Sequence, residues 1–128
     1  MESLQHRSAS LVELLKQRSE IQPDKTAFVF LEEGEREGGS FTYSELDKRA
    51  RSIAAVIQSK GLKGERALLI YESGLEYLDS FFGCMYAGVI SVPLHPPGKN
   101  KSLTRISAIA KDSDAKVILS TKEISDEL

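Results

Sequence analysis

The stretch that decides the fold is Arg66-Ala67-Leu68-Leu69-Ile70-Tyr71, followed after a short connection by Leu75 to Ala87 and then by Val89-Ile90-Ser91-Val92-Pro93. Ala67 to Ile70 is a continuous apolar run of strand length, without the polar alternation of a half-solvated strand, and reads as a strand buried on both faces. Ser73 and Glu76 stand in capping-box spacing ahead of a helix that carries Leu75, Leu78, Phe82 and Met85 and is stopped by Gly88. Within that helix Gly83 and Ala87 are one turn apart, a pattern that lets it approach the sheet or another helix closely. Val89 to Pro93 is the next strand. A loop holding Pro96-Pro97-Gly98, a helix with Leu103, Ile106 and Ile109, and the strand Lys116 to Ser120 follow. Strand, helix, strand, helix, strand with short connections is the pattern of an α/β fold, a parallel sheet wound through right-handed βαβ crossovers.

Toward the start of the chain the pattern changes. Residues 1–9 are polar and read as a flexible tail. Ser10 and Glu13 form a capping box ahead of Leu11, Leu14 and Leu15, and Pro23-Asp24 stops that helix because proline cannot donate to the helical ladder. Thr26 to Leu31 and Ser40 to Tyr43 are strand-like runs around the charged, glycine-bearing tip Glu32 to Gly39, which reads as a β-hairpin. Thr42 and Glu45 cap a second helix whose Leu46, Ala50, Ile53, Ala54 and Ile57 share one stripe. Gly61 is its stop, with Leu62 placed to pack back. At the other end Ser120 and Glu123 form one more capping box, and residues 121–128 begin a helix too short to cover the strand before it. A sheet that continues beyond this chain is the expectation, and a frayed terminus is its alternative.

Composition narrows the function classes. The 128 residues hold 17 Lys+Arg against 19 Asp+Glu, net charge -2, with 41% hydrophobic and 28% charged, ordinary proportions for a globular domain able to bury a core. The balanced charge argues against nucleic-acid binding. No apolar run approaches the roughly 20 residues of a membrane span, and residues 1–10 do not resemble a secretory signal, so cytoplasmic residence is expected. Cys84 is the single cysteine; it fits a reducing compartment, rules out a cysteine zinc site, and reads as core rather than nucleophile.

Candidate chemistry is sparse. Gly34 to Gly39 is interrupted by Glu35 and Glu37, which would repel a phosphate. Pro96 to Ser102 fails the phosphate-loop pattern at Pro93 and Asn100, although Gly98, Lys99 and Lys101 could meet an anion at a helix start. His95 lies just past the carboxyl end of a strand, where open parallel sheets place ligands, but no acid nearby in sequence orients it. His6 lies in the polar tail. Ser73 follows Tyr71-Glu72 and is a helix cap, not a nucleophile elbow.

Beyond their physics, several segments resemble a known family. Phe41-Thr42-Tyr43-Ser44-Glu45-Leu46-Asp47 running into Arg49 to Ala54 resembles the first signature of the adenylate-forming superfamily, which includes acyl-CoA synthetases, peptide-synthetase adenylation domains and luciferases. Tyr86-Ala87-Gly88-Val89-Ile90-Ser91-Val92-Pro93 resembles its second. Gly64 to Tyr71, Phe81 to Ile90 and the paired Pro96-Pro97 are most similar to the fatty acyl-AMP ligase branch, and Asp112 to Thr121 continues the likeness. Glu72-Ser73 departs from the two prolines frequent there, and His95 from a frequent aromatic.

The resemblance implies an enzyme that uses ATP and Mg²⁺ to turn a fatty acid into an acyl-adenylate and hands the acyl group to an acyl carrier protein. Residues 10–128 would then be the N-terminal part of an AMP-binding domain, an incomplete α/β subdomain that stops before the ATP loop. No catalytic, cofactor-binding or metal-binding residue of the family maps onto these positions, and the chain alone is expected neither to catalyse adenylation nor to bind ATP tightly. An acyl-CoA synthetase or peptide-synthetase fragment is the alternative within the superfamily. Outside it stands a complete, non-catalytic flavodoxin-like interaction module that covers its last strand by dimerising.

Overall fold

A computed structural model describes residues 2–32, 36–72, 74–96 and 104–127. The element order is α1 (Glu2–Ile21), β1 (Thr26–Glu32), β2 (Arg36–Thr42), α2 (Tyr43–Ser59), β3 (Arg66–Ile70), α3 (Leu75–Ala87), β4 (Ile90–Leu94), α4 (Thr104–Ser113), β5 (Ala115–Ser120) and α5 (Lys122–Glu127). β1 and β2 pair as an antiparallel hairpin, and β4, β3 and β5 form a parallel three-stranded sheet in that spatial order. The predicted tip residues 33–35 and the loop residues 97–103 lie outside the described residues, as does Ser73.

The apolar run takes the centre of the sheet. Ala67, Leu68, Leu69 and Ile70 are completely buried. Ala67 and Leu69 face one way, against Ala54 and Ile57 of α2 and Cys84 and Ala87 of α3, with Val117 and Leu119 of β5 packed beside them. Leu68 and Ile70 alternate to the opposite face. That second face is covered at its centre and open at its edge. Ile118, in register with Leu68, is 48% exposed, and α4 buries none of its described residues. No helix among the described residues is long and apolar enough to cross a membrane.

α2 joins the sheet to the hairpin. Its Leu46 and Ala50 meet Leu15 of α1, Phe41 of β2 and Phe82 of α3 in a second cluster. Gly83 makes the α2–α3 approach possible, since a Cβ there would sit 2.6 Å from Cγ2 of Ile53. Of the two partners the sequence left open, the other helix is therefore the one that Gly83 meets. Gly88 ends α3 in the left-handed conformation at φ 74°, with its N–H donating to the carbonyls of Cys84 and Met85, as a helix-stopping glycine should. Leu62, past the end of α2, packs on the core as its position predicts.

Three of the four expected caps differ from the sequence reading. α1 runs from Glu2 rather than from Ser10, because residues 2–9 contain no glycine or proline to interrupt a helix already begun. Gly74 rather than Ser73 occupies the N-cap position of α3, with no side-chain cap. At α5 the cap is Thr121, whose hydroxyl accepts from the Ile124 N–H at 3.2 Å, while the Ser120 hydroxyl donates at 2.7 Å to the Ile70 carbonyl on the neighbouring strand.

The fourth forms as read. The Thr42 hydroxyl accepts from the Glu45 N–H at 3.1 Å, and the Glu45 carboxylate accepts from the Thr42 N–H at 3.0 Å. These bonds hold the Glu45 carboxyl below its ordinary range, so their contribution is present at neutral pH and fades as acid protonates it. Thr42→Ala is expected to cost about 1 kcal/mol in urea unfolding, with Thr42→Ser close to unchanged.

Candidate functional site

The three parallel strands point their carboxyl ends to one edge, at Ile70, Leu94 and Ser120. That edge opens into a cleft of about 1040 Å³, with Tyr71 and Glu72 following β3, Pro96 following β4, and Leu119 to Thr121 closing β5. Phe30 and Phe41 of the hairpin, Ile53 of α2 and Leu75 of α3 supply apolar wall. The carboxyl edge of a parallel sheet is where such folds seat ligands, because the strand-to-helix loops converge there.

The charges of the cleft are uneven. Glu72, Glu76, Asp79 and Glu123 line it, and Arg49 is the one Lys or Arg among its described lining residues. The N-termini of α3 and α5 both open on it, but each carries a glutamate in its first turn, Glu76 and Glu123, which offsets the attraction of a helix start for anions. Four carboxylates against one guanidinium do not make a triphosphate clamp, so the described residues do not fit an ATP phosphate site. They also include no group of three or more His, Cys, Asp or Glu arranged to hold a metal ion.

The polar residues of the wall form a connected set. Asp79 is 7% exposed and Ser80 3% exposed. The Ser80 hydroxyl reaches the Asp79 carboxylate at 3.4 Å and shares a 2.6 Å hydrogen bond with the Tyr71 hydroxyl. Arg49 approaches Asp79 at 3.8 Å and lies over the Phe41 ring, 5.0 Å from its centroid. Burial pushes the Asp79 carboxyl above its ordinary range, and Arg49 offsets only part of that effect. Sequence reasoning missed this set, because Asp79-Ser80 breaks no helical pattern and shows its significance only when α3 is packed against β3 and α2.

Behind the wall Asp47 is held more tightly. It accepts from the Tyr86 hydroxyl at 2.7 Å and pairs with Arg51 one turn along α2, while Lys16 of α1 sits over the Tyr86 ring at 5.3 Å. That network ties three helices together and lies away from the cleft lining.

The residues singled out in the sequence fall as follows. His95 lies past β4 and lines a smaller cleft of about 280 Å³ that also contains Glu72, Tyr71 and Tyr77, so the fold supplies an acid in its neighbourhood that the sequence did not. Cys84 is completely buried, and desolvation raises its thiol to about 11, which keeps it protonated and inert. His6 falls on the helical backbone of α1. Gly98, Lys99 and Lys101 are outside the described residues.

Comparison with known proteins gives a consistent picture. The profile of the AMP-binding enzyme family matches residues 15–128. The chain is 44% identical over 114 residues to the medium-chain-fatty-acid–acyl-carrier-protein ligase JamA of Moorena producens, covering 87% of this chain and 19% of that protein. It is 34% identical over 120 residues to the long-chain-fatty-acid–AMP ligase FadD23 of Mycobacterium tuberculosis, covering 91% and 20%. Among solved structures, the fatty acid AMP ligase from Legionella pneumophila superposes with a TM-score of 0.83 at 36% identity, over 91% of this chain and 20% of that one. The chain thus spans about a fifth of the length of the relatives it matches.

Proposed function

The chain belongs to the AMP-binding enzyme family, and from that premise we propose that it is the N-terminal part of a fatty acyl-AMP ligase. The complete enzyme would activate a fatty acid with ATP and Mg²⁺ to an acyl-adenylate and pass the acyl group to the thiol of an acyl carrier protein in the cytoplasm. The observation that carries this reading is the 44% identity to an acyl-carrier-protein ligase over nearly the whole of the chain.

Within such an enzyme the role of these residues is support. β3 and its helices form a packed block whose carboxyl edge offers a cleft, and later chain would furnish the phosphate loop and clamp that the described cleft lining lacks. Adenylyl transfer depends on positioned charge-neutralising groups, and the acid-rich lining offers none in sufficient number.

A second acceptor, coenzyme A, is favoured by one relative: the putative fatty-acid–CoA ligase FadD21 of Mycobacterium tuberculosis is 33% identical over 121 residues.

The isolated 128 residues should show no ATP–pyrophosphate exchange above background with medium- or long-chain fatty acids. The coding DNA past codon 128 should run on into a Ser/Thr/Gly-rich loop. Exchange by the isolated chain would overturn the scaffold role, and an immediate stop codon would overturn the fragment reading. In the encoded longer enzyme, acyl transfer to a carrier protein but not to coenzyme A would decide the acceptor.

A further inference from the structure

Asp79 is an unusual residue to find in the wall of a cleft. Its carboxylate is nearly buried, yet its side-chain contacts are loose, Arg49 at 3.8 Å and the Ser80 hydroxyl at 3.4 Å, and the Ser80 backbone N–H adds only part of the missing compensation. The contrast is Asp47, also buried, which takes a 2.7 Å bond from Tyr86 and a direct pair with Arg51. A buried carboxylate held this loosely costs stability when ionised, because its desolvation is only partly offset.

The contacts also have a direction. When Ser80 gives its one hydroxyl proton to the ionised Asp79, Tyr71 donates to Ser80. The chain runs from Tyr71 at the end of β3, through Ser80 and Asp79 on α3, to Arg49 on α2. It therefore joins the end of β3 to α3 and α2 and ends on the one cation among the described lining residues.

We propose that Tyr71, Ser80, Asp79 and Arg49 form a proton-operated latch on the cleft wall, in which ionised Asp79 holds the Arg49 guanidinium against α3 and protonated Asp79 releases it. Protonation removes the charge that draws Arg49 and gives Asp79 a proton of its own to donate to Ser80, which reverses the chain. Arg49 then keeps its seat on Phe41 and its attraction to Glu45 one turn back along α2, and its side chain, 60% exposed, loses its tie to α3. The charged groups set around the switch are Arg49 from α2 and Glu76 from α3, with Glu72 after β3 and Glu123 on α5 along the same cleft. Glu76 disfavours ionisation and Arg49 favours it. The latch is independent of the adenylation reading and holds whatever the cleft binds.

The sign of the linkage distinguishes the latch from an ordinary stabilising ion pair. A carboxyl raised in the folded state favours the fold below its unfolded value and loses that contribution as pH rises through the folded value. The engaged form is therefore the less stable one, and Asp79→Asn should unfold at higher urea concentration than the parent at neutral pH. An ordinary ion pair gives the opposite result.

The test is a carbon-detected NMR titration of the 128-residue chain. Asp79 Cγ is expected to titrate above the ordinary aspartate value of 3.8, and the Arg49 Nε–H resonance should move with the same midpoint. In Arg49→Gln the Asp79 midpoint should rise further, since the opposing cation is gone; this variant leaves the buried carboxyl in place and serves if Asp79→Asn does not fold. An Asp79 midpoint at or below 3.8, an Arg49 resonance that ignores that midpoint, or an unchanged midpoint in Arg49→Gln would each overturn the latch.

Discussion

Leu69→Ala is expected to lower the unfolding free energy by about 3 kcal/mol, a large share of the roughly 5–15 kcal/mol that holds a domain together. Leu69 is completely buried at the centre of β3, between Pro93 of β4 and Leu119 of β5. Its neighbours across the sheet face include Ala54, Ala87 and Cys84, small side chains with little reach to fill the space that three deleted carbons leave. A site that cannot collapse keeps the cavity, and the cavity adds to the lost transfer energy. Ile118→Ala is the matched comparison on the adjacent strand. Ile118 is 48% exposed, so its truncation should change stability by no more than about 0.5 kcal/mol. Urea titration of both variants at matched pH measures the pair, and similar losses would mean that β3 is not the organising strand.

The same contrast shows what was legible beforehand. Ala67 to Ile70 announced a doubly buried strand because an unbroken apolar run has no solvated face to offer, and its position between β4 and β5 follows. The capping box at Thr42 and the stops at Gly61 and Gly88 were equally readable, since each depends on residues within one turn of chain. Ser120 was misread for a tertiary reason: its hydroxyl had a better acceptor in Ile70 of the adjoining strand, fifty residues away. The Ser10 boundary failed because a capping signal cannot stop a helix that approaches it from upstream.

The cleft was only half legible. That ligand-binding geometry belongs at the carboxyl ends of the strands follows from a parallel sheet, and His95 was placed there on that ground. The Tyr71–Ser80–Asp79–Arg49 set was invisible, because its members are distributed over three elements and carry no spacing of their own. The family resemblance, by contrast, rests on contiguous segments, and for that reason it could be read before any packing was known.

Gly83→Val is expected to be about as damaging as Leu69→Ala, roughly 3 kcal/mol, though nothing is removed from the core. A Cβ at position 83 would lie 2.6 Å from Cγ2 and 2.8 Å from Cβ of Ile53, and 3.3 Å from the Ala50 carbonyl. Ile53 is β-branched, so it cannot swing a flexible end aside, and the Ala50 carbonyl belongs to the backbone of α2. Either α3 moves away from α2 or Ile53 leaves its rotamer, and both loosen the cluster around Cys84 and Ile57. Gly83→Ala should lose less, because about 1 kcal/mol of helix propensity offsets part of the clash. The decisive variant is Gly83→Ala with Ile53→Ala. If the clash is the cause, the two substitutions should be less harmful together than their separate losses predict, by about 1 kcal/mol or more. Simple additivity, or a Gly83→Ala protein more stable than its parent, would show that α2 and α3 do not meet at this glycine.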